Sequence, residues 1–135
     1  MLGRNVKIER LKSVPLFSQC SRRELREIAD IADELHVPSG TALMREGAAG
    51  HELVLIVDGA ADVHRGGRKI DTVRSGDFVG EIALITDTPR NATVRTTEPT
   101  RALVLTRRDF RTLLKRIPSI QLKALDAVAA RLATD

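Results

Sequence analysis

The chain of 135 residues has little aromatic character, because it contains no Trp, no Tyr and three Phe. Proteins that hold single-stranded nucleic acid stack its bases on aromatic side chains, so this composition argues against such a partner. The one cysteine, Cys20, cannot form an internal disulfide, and nothing therefore requires an oxidising compartment. The longest apolar run covers residues 53–57, far short of the ~20 residues that a membrane-spanning helix needs.

The net charge of the chain does not indicate a polyanionic partner either. The 22 basic and 18 acidic residues leave a net charge of +4, which is ordinary for a soluble domain. Hydrophobic residues make up 42% of the chain and charged residues 30%, as in folded globular proteins. The amino terminus mixes charged with apolar residues and lacks the apolar core of a signal peptide. We therefore expect one cytoplasmic domain, residues 1–135, with no nucleic acid partner and no membrane segment.

Glycine placement divides the chain into three blocks. Eight of the nine glycines lie between Gly40 and Gly80. The middle block, residues 36–105, consists of short apolar segments separated by turn residues, which is typical of an antiparallel, jelly-roll-like β-roll of about eight strands. Gly66 and Gly67 predict a hairpin, since glycine adopts positive φ without penalty. Six of the strands are placed at 42–44, 52–57, 61–65, 69–74, 92–96 and 101–105.

The first block, residues 1–35, has a helical pattern. Ser21 and Glu24 have the spacing of a capping box, in which each residue satisfies an unpaired amide of the other. Apolar residues then recur at helical spacing and predict a helix over 21–35. A shorter helical segment, broken at Pro15, precedes it.

The last block, residues 106–135, is helical again. Thr106 and Asp109 repeat the capping spacing, and Pro118 interrupts the apolar pattern at a position that suits a first helical turn. Two helices are therefore predicted after the β-roll. The fold class is α+β, with an N-terminal helix, the β-roll with a short helical turn near its end, and two C-terminal helices.

Residues suited to ligand binding cluster between positions 76 and 94. Gly80 opens a segment long enough for one helical turn, and the free amides at the start of a helical turn attract anions. Arg90 offers a planar fork of donors that suits two phosphate oxygens. A carboxylate would repel phosphate, so Glu81 suits a hydroxyl group instead. Together these groups indicate a sugar phosphate as the ligand.

This segment resembles the phosphate-binding cassette of the cyclic nucleotide-binding domain family, at residues 78–94. The motif is Gly-Glu-x-Ala-Leu followed by Pro-Arg-x-Ala-Thr-Val. The matching positions are Gly76, Phe78, Gly80, Glu81, Ala83, Leu84, Pro89, Arg90, Ala92, Thr93 and Val94. The resemblance implies a regulatory module that binds cAMP or cGMP, catalyses no reaction and needs no metal or further cofactor.

The resemblance also implies a role for each cassette residue. Glu81 would hold the ribose 2′-hydroxyl, and Arg90 would hold the cyclic phosphate. Main-chain amides would complete the phosphate cradle, and they belong to Gly80, Ile82, Ala83, Asn91 and Ala92. Asn91 stands where cAMP binders often have alanine and many cGMP binders threonine or serine, and its side-chain amide can accept from or donate to a purine. The expected ligand is cAMP, with cGMP as the less favoured alternative.

The resemblance also implies that ligand binding is signalled by movement of the last helix, which would cover the base. With no Trp or Tyr available, the base would be covered by Leu122, Leu125 or Val128, or by an arginine laid on the ring. Pro118 provides a pivot for that movement. The signal would pass to an effector protein, or to the rest of a larger protein such as a kinase, channel, transferase or transcription factor. The alternative is that Leu122, Leu125 and Leu132 are permanent core residues of the roll.

Three other interpretations compete with a nucleotide sensor. Glu81 and Arg90 could form a structural ion pair. The domain could keep the fold, bind nothing and act as an interaction module. A metal-dependent, cupin-like enzyme also uses a β-roll, but it needs two histidines one residue apart followed by a glutamate, and His64 stands alone.

Five basic residues are expected to form a solvated helix face: Arg107, Arg108, Arg111, Lys115 and Arg116.

Overall fold

Helices flank an eight-stranded middle section, as the sequence predicts. The computed structural model describes residues 2–86 and 88–134, and for Ala83, Arg131, Leu132 and Thr134 it describes the backbone alone. In chain order the elements are α1 (Arg4–Lys12), a 3₁₀ turn (Pro15–Phe17), α2 (Arg22–Ile31), β1 (Asp33–Val37), β2 (Ala42–Met44), β3 (Glu52–Asp58), β4 (Ala60–Arg65), β5 (Arg68–Arg74), β6 (Phe78–Val79), a 3₁₀ turn (Ile82–Leu84), β7 (Thr93–Thr96), β8 (Thr100–Thr106), α3 (Arg107–Arg116) and α4 (Pro118–Thr134).

Within the described residues, the strands form two four-stranded sheets. The first sheet has the order β1-β8-β3-β6 and the second the order β2-β7-β4-β5. Every pairing in both sheets is antiparallel. Strands distant in sequence are neighbours in both sheets, so the sheets close into a roll rather than a simple meander. The predicted α+β class with an antiparallel β-roll is confirmed.

Strand β3 contributes to two separate cores, because alternate side chains of a strand point to opposite faces. Leu53, Leu55 and Val57 pack against the helices. Val54 and Ile56 pack between the two sheets. The apolar run that stands out in the sequence is therefore a strand buried on both faces. Its position fixes the first sheet between the helical layer and the second sheet.

Helix α2 begins as predicted but ends early. Ser21 Oγ accepts from the Glu24 N–H, and the Glu24 carboxylate accepts from the Ser21 N–H. The backbone becomes extended at Ala32, and β1 follows, so the predicted helix over 21–35 is wrong beyond Ile31. Every residue of β1 pairs with β8. Leu35 continues the helical spacing in sequence, yet it packs against the core between the sheets.

The turns and the C-terminal helices follow the prediction. Gly66 and Gly67 have φ values of +59° and +77° and join β4 to β5. Thr106 Oγ1 accepts from the Asp109 N–H at 3.2 Å and caps α3. Helix α4 begins at Pro118, directly after a residue with extended backbone. The two-residue strand β6 is not anticipated by the sequence, since it is too short to show a periodicity.

Candidate functional site

A pocket of about 230 Å³ lies where β6, the 3₁₀ turn that follows it and the loop before β7 meet. Five of the predicted site residues line it: Gly80, Glu81, Ile82, Arg90 and Asn91. Met44, Phe78, Thr88 and Pro89 complete its walls. Residues far apart in the sheets thus converge with the cassette on one cavity.

Arg90 is nearly buried, with 7% of its surface exposed. Its Nη2 donates to the main-chain carbonyl of Glu52 at 2.8 Å. Its Nη1 is also buried and finds no hydrogen-bond partner among the described residues. Burial lowers the pKa of the Arg90 guanidinium, and the nearby Glu52 carboxylate opposes that shift. The side chain therefore offers a desolvated cation to the pocket, with Nη2 already bound to a carbonyl and Nη1 without a described acceptor.

The main chain around Arg90 is anchored to the loop before β3. The Arg90 N–H donates to the carbonyl of Ala48 at 2.9 Å, and the Gly47 N–H donates to the carbonyl of Arg90 at 2.8 Å. These two bonds fix the main chain of Arg90, and with it the Cα from which the guanidinium extends. The loop that they bind has no predicted structure in the sequence. Pro89 adds a fixed φ just before it.

Two glycines make room for the guanidinium. A Cβ at Gly80 would lie 2.5 Å from Arg90 Nη1 and 2.5 Å from the Glu52 carbonyl oxygen. A Cβ at Gly50 would lie 1.8 Å from Arg90 Nε. Gly80 also has a φ of +86°, a conformation that other residues rarely adopt. The guanidinium therefore occupies a slot that larger residues at these positions would fill.

Glu81 projects into the same pocket without contacting the arginine by an ion pair. Its Oε2 is buried and has no hydrogen-bond partner among the described residues. Burial raises the pKa of the Glu81 carboxyl. The structural ion pair between Glu81 and Arg90 that the sequence left open is absent from the described contacts, and that interpretation is wrong. Both charged groups instead present unused polar atoms to one cavity.

The remaining cassette residues surround these two groups. The backbone of Ile82 and Ala83 forms the 3₁₀ turn that starts after Glu81, and the first amides of such a turn have no acceptor within it. The side chain of Asn91 is exposed at the pocket rim, and the main-chain carbonyl of Asn91 accepts from Arg65 Nε at 3.0 Å. Ala92 is buried, one residue before β7.

The residues that the family resemblance implies as a lid lie outside the cassette pocket. Leu122 and Leu125 on α4 are each 66% exposed, so they are not core residues of the roll, and that alternative is wrong for both. Leu125 and Val128 line a separate apolar groove of about 460 Å³, next to Ile85. The side chain of Leu132 lies outside the part of the chain that the structure describes. The structure thus does not bring the lid residues onto the cassette pocket.

Two partners of Arg90 escape the sequence analysis. The carbonyl of Glu52 holds the guanidinium, and a main-chain acceptor leaves no mark on residue type. Gly50 provides space, and its only signal is the high density of glycines before β3. The structure therefore adds the loop before β3 and the first residue of that strand, Glu52, to the site that the cassette motif defines.

Outside the pocket, the described residues contain neither a metal site nor an activated thiol. Among residues 2–86 and 88–134, no group of three or more His, Cys, Asp and Glu is arranged to hold a metal ion. Cys20 is buried with its Sγ 3.8 Å from Ser119 Oγ, and burial raises the pKa of its thiol, which disfavours the nucleophilic thiolate. No described helix is long and apolar enough to cross a membrane.

Comparison with known proteins points to one family. A family model described as the cyclic nucleotide-binding domain matches residues 34–117. A cAMP-dependent protein kinase regulatory subunit of Yarrowia lipolytica is 36% identical over 106 residues, which are 77% of this chain and 28% of that protein. The chain spans less than a third of the length of the first curated relatives it matches.

Two solved structures share the fold. The N-terminal domain of a transcriptional regulator from Streptomyces coelicolor A3(2) has a TM-score of 0.79 at 28% identity and covers 93% of both chains. The regulatory subunit of a cAMP-independent protein kinase A from Trypanosoma cruzi, bound to guanosine, has a TM-score of 0.77 at 29% identity and covers 82% of this chain and 40% of that one. These regulatory relatives agree with the expected non-catalytic domain, and the family match favours it over the cupin-like enzyme.

Proposed function

The chain belongs to the cyclic nucleotide-binding domain family, and we propose that it is a sensor whose cassette pocket binds cAMP. One observation carries the proposal: a buried guanidinium donor and a buried carboxylate oxygen line the same cavity, each without a partner among the described residues. Buried polar atoms are rarely left unsatisfied, because each one costs about 1–3 kcal/mol. A ligand that carries an anion and a hydroxyl would satisfy both.

Arg90 supplies the anion contact in this proposal. Its Nη2 is committed to the Glu52 carbonyl, which fixes the plane of the guanidinium and leaves Nη1 for a phosphate oxygen. A hydrogen bond between two ionised groups is about twice as strong as one between neutral groups. A bound phosphate would also offset the desolvation that lowers the pKa of this side chain.

Glu81 supplies the sugar contact. A carboxylate accepts hydrogen bonds and repels phosphate, so its place beside Arg90 suits a ligand with a hydroxyl close to its phosphate. The ribose 2′-hydroxyl of a 3′,5′-cyclic nucleotide has that arrangement. The amides of Gly80, Ile82, Ala83, Asn91 and Ala92 would surround the remaining phosphate oxygens, as the family resemblance implies.

The choice of purine depends on the pocket rim. The side chain of Asn91 is exposed there and can both donate and accept. The fungal relatives are named as cAMP-dependent, which supports cAMP over cGMP. The Trypanosoma cruzi relative is a cAMP-independent protein bound to guanosine, so a nucleoside without phosphate is the competing ligand.

The output that we propose is movement of α4 toward the pocket. The exposed Leu122 and Leu125 and the half-buried Val128 would cover the base and bury apolar surface. The change would be transmitted to an effector protein, or to another part of a larger protein, in the cytoplasm. An unpaired thiol at Cys20 agrees with that compartment.

Isothermal titration of the full chain with cAMP, cGMP and guanosine tests the proposal, since the absence of Trp removes the usual fluorescence probe. We expect saturation by cAMP at about one ligand per chain, weaker binding of cGMP, and the weakest binding for guanosine, which offers Arg90 no phosphate. If millimolar cAMP and cGMP give neither heat nor a thermal shift, the proposal is wrong. If guanosine binds more tightly than cAMP, the pocket is a nucleoside site.

A further inference from the structure

A second cavity, of about 710 Å³, lies between residues 51–52 and helix α3. We term it the basic groove. Five of its lining side chains are basic, and they are His51, Arg107, Arg108, Arg111 and Lys115. A single acidic side chain, that of Glu52, stands at one edge. No described residue lines both this groove and the cassette pocket, although the main-chain carbonyl of Glu52 binds Arg90.

The two sides of α3 differ in how their charge is balanced. Arg116 faces α2, and its Nη2 lies 3.2 Å from the Glu27 carboxylate. Arg108, Arg111 and Lys115 are exposed along the groove, and no ion pair joins them to an acidic side chain in residues 2–86 or 88–134. The positive charge of Arg108, Arg111 and Lys115 is therefore concentrated on one side of one helix, without an ion pair to any described acidic residue.

We propose that the basic groove binds an acidic, extended segment of a partner protein. Arg111 and Lys115 are one helical turn apart, about 6 Å along the axis, and Arg108 adds a third cation about 4.5 Å further. In an extended peptide, every second side chain points the same way, at intervals of ~6.8 Å. Long Arg and Lys side chains absorb the small difference, so alternate carboxylates of such a segment match the row of cations.

Nucleic acid fits this surface less well than an acidic segment. The cations span only about two helical turns along α3. A specific protein–DNA interface buries about 1,000 Å² or more, which requires a larger surface. Phe17 and Phe110 are buried in the helical core, and Phe78 lines the cassette pocket, so no Phe is available on the groove for base stacking. The carboxylate of Glu52 limits an anionic ligand to the side of the groove that α3 forms.

Fluorescence anisotropy tests the proposal with a fluorescein-labelled peptide of alternating Glu and Ser, about eight residues long, at about 50 mM salt. The full chain is expected to bind it, and a peptide with Gln in place of Glu is expected not to bind. The triple variant Arg108→Gln, Arg111→Gln and Lys115→Gln is expected to bind the Glu peptide about tenfold more weakly, as the loss of three exposed ion pairs allows. Circular dichroism checks that it is folded.

A matched triple variant separates the groove from net charge. Lys12→Gln, Arg23→Gln and Arg26→Gln remove the same charge from exposed positions on and near α1 and α2. This variant is expected to bind the Glu peptide as the unmodified chain does. No binding of the Glu peptide to the full chain, or equal loss in both triple variants, overturns the proposal. Displacement of the peptide by a DNA oligonucleotide at lower concentration than by unlabelled peptide also overturns it, in favour of nucleic acid.

Discussion

Gly50 and the side chain of Arg90 occupy adjoining space so tightly that a Cβ at position 50 would lie 1.8 Å from Arg90 Nε. The atoms in the way belong to a flexible side chain. At Gly80, by contrast, a Cβ would also meet the main-chain oxygen of Glu52, and φ is positive. Substitution at position 50 therefore displaces the arginine, whereas substitution at position 80 strains the backbone.

Gly50→Ala is accordingly expected to weaken cAMP binding with little change in Tm. The methyl group would push the guanidinium away from the Glu52 carbonyl and from the phosphate position. Loss of one hydrogen bond to a charged group corresponds to roughly a 10- to 100-fold rise in Kd, measured by isothermal titration. Gly3→Ala is the control, because a Cβ there meets nothing within 4 Å. Unchanged affinity in Gly50→Ala would contradict the proposed place of the phosphate.

Arg90→Ala is expected to weaken cAMP binding by about 2–4 kcal/mol, a factor of roughly 30 to 1,000. The variant removes the charge-assisted phosphate contact and leaves the Glu52 carbonyl without its donor. Arg90→Lys should recover part of the affinity, because an ammonium has charge but lacks the planar fork. Arg95→Ala, at an exposed arginine on β7, should bind cAMP normally. Equal losses at positions 90 and 95 would show a general charge effect.

The buried Glu81 carboxylate is expected to lower the stability of the ligand-free protein at neutral pH. Burial raises the pKa of its carboxyl, so the folded state retains the proton to higher pH than the unfolded state does. The stabilising contribution is present below the ordinary carboxyl pKa and is lost as pH rises through the folded value. Ligand-free Glu81→Gln should therefore have a higher Tm than the unmodified chain at pH 7, and the difference should shrink at pH 4. A lower Tm at pH 7 would show that the carboxylate is satisfied in the free protein.

The same variant tests the sugar contact. With cAMP, Glu81→Gln should raise the Kd, because an amide accepts the 2′-hydroxyl hydrogen bond less strongly than a carboxylate does. With 2′-deoxy-cAMP, the Kd should change much less. Isothermal titration of both ligands against both proteins gives the comparison. Equal weakening for the two ligands would rule out the 2′-hydroxyl as the partner of Glu81.

A separate acid-sensitive contact joins the amino terminus to β1. His36 Nε2 lies 2.5 Å from Glu34 Oε2, and the Leu2 N–H donates to Glu34 Oε1 at 2.6 Å. These two bonds lower the pKa of the Glu34 carboxyl to about 2, and the bond with His36 has the larger effect. A lowered pKa contributes stability that is present above the ordinary carboxyl pKa and is lost as pH falls toward 2.

Glu34→Gln should therefore have a lower Tm than the unmodified chain near neutral pH, with the difference fading between about pH 4.5 and pH 2. Thermal unfolding followed by circular dichroism across that range measures it. Glu98→Gln, at an exposed position in the β7–β8 loop, is the matched control and should show a smaller difference. A Tm difference for Glu34→Gln that persists unchanged at pH 2 would contradict the assignment.

The sequence predicts the local features of this fold and misses the ones that depend on distant partners. The capping box at Ser21, the hairpin at Gly66 and the break at Pro118 are confirmed, because turn and cap chemistry acts within a few residues. Strand β1 is missed because its apolar spacing continues that of α2, and only pairing with β8 makes it a strand. Tertiary pairing overrides the local helical pattern there.

The candidate site divides in the same way. The residues that motif and charge single out, such as Glu81 and Arg90, converge on one pocket. The Glu52 carbonyl and the space at Gly50 are invisible in the sequence, because one is a main-chain group and the other is an absence of atoms. The relation between Glu81 and Arg90 also required the structure, since opposite charges suggest an ion pair that the geometry does not form.

The position of Leu122 and Leu125 makes the movement of α4 measurable. Both side chains are 66% exposed, while Ile120 and Ala124 on the same helix are buried, so α4 is attached by one face and displays the other. If that displayed face closes over the base, cAMP should slow hydrogen exchange of amides in residues 119–133. The ligand can shift this equilibrium only by its difference in affinity for the two positions, and about 1–3 kcal/mol is typical of such coupling.

Leu122→Ser combined with Leu125→Ser should then raise the Kd for cAMP several-fold and leave the Tm of the free protein nearly unchanged, because the lost apolar contacts exist only in the closed position. Val6→Ser combined with Ile70→Ser is the matched control, since both of those apolar side chains are also exposed, at 44% and 45%, and lie outside α4. Only the α4 pair should abolish the protection of residues 119–133. Equal exchange rates in that range with and without saturating cAMP would make α4 a fixed scaffold, and the signal would then have to leave through the cassette itself.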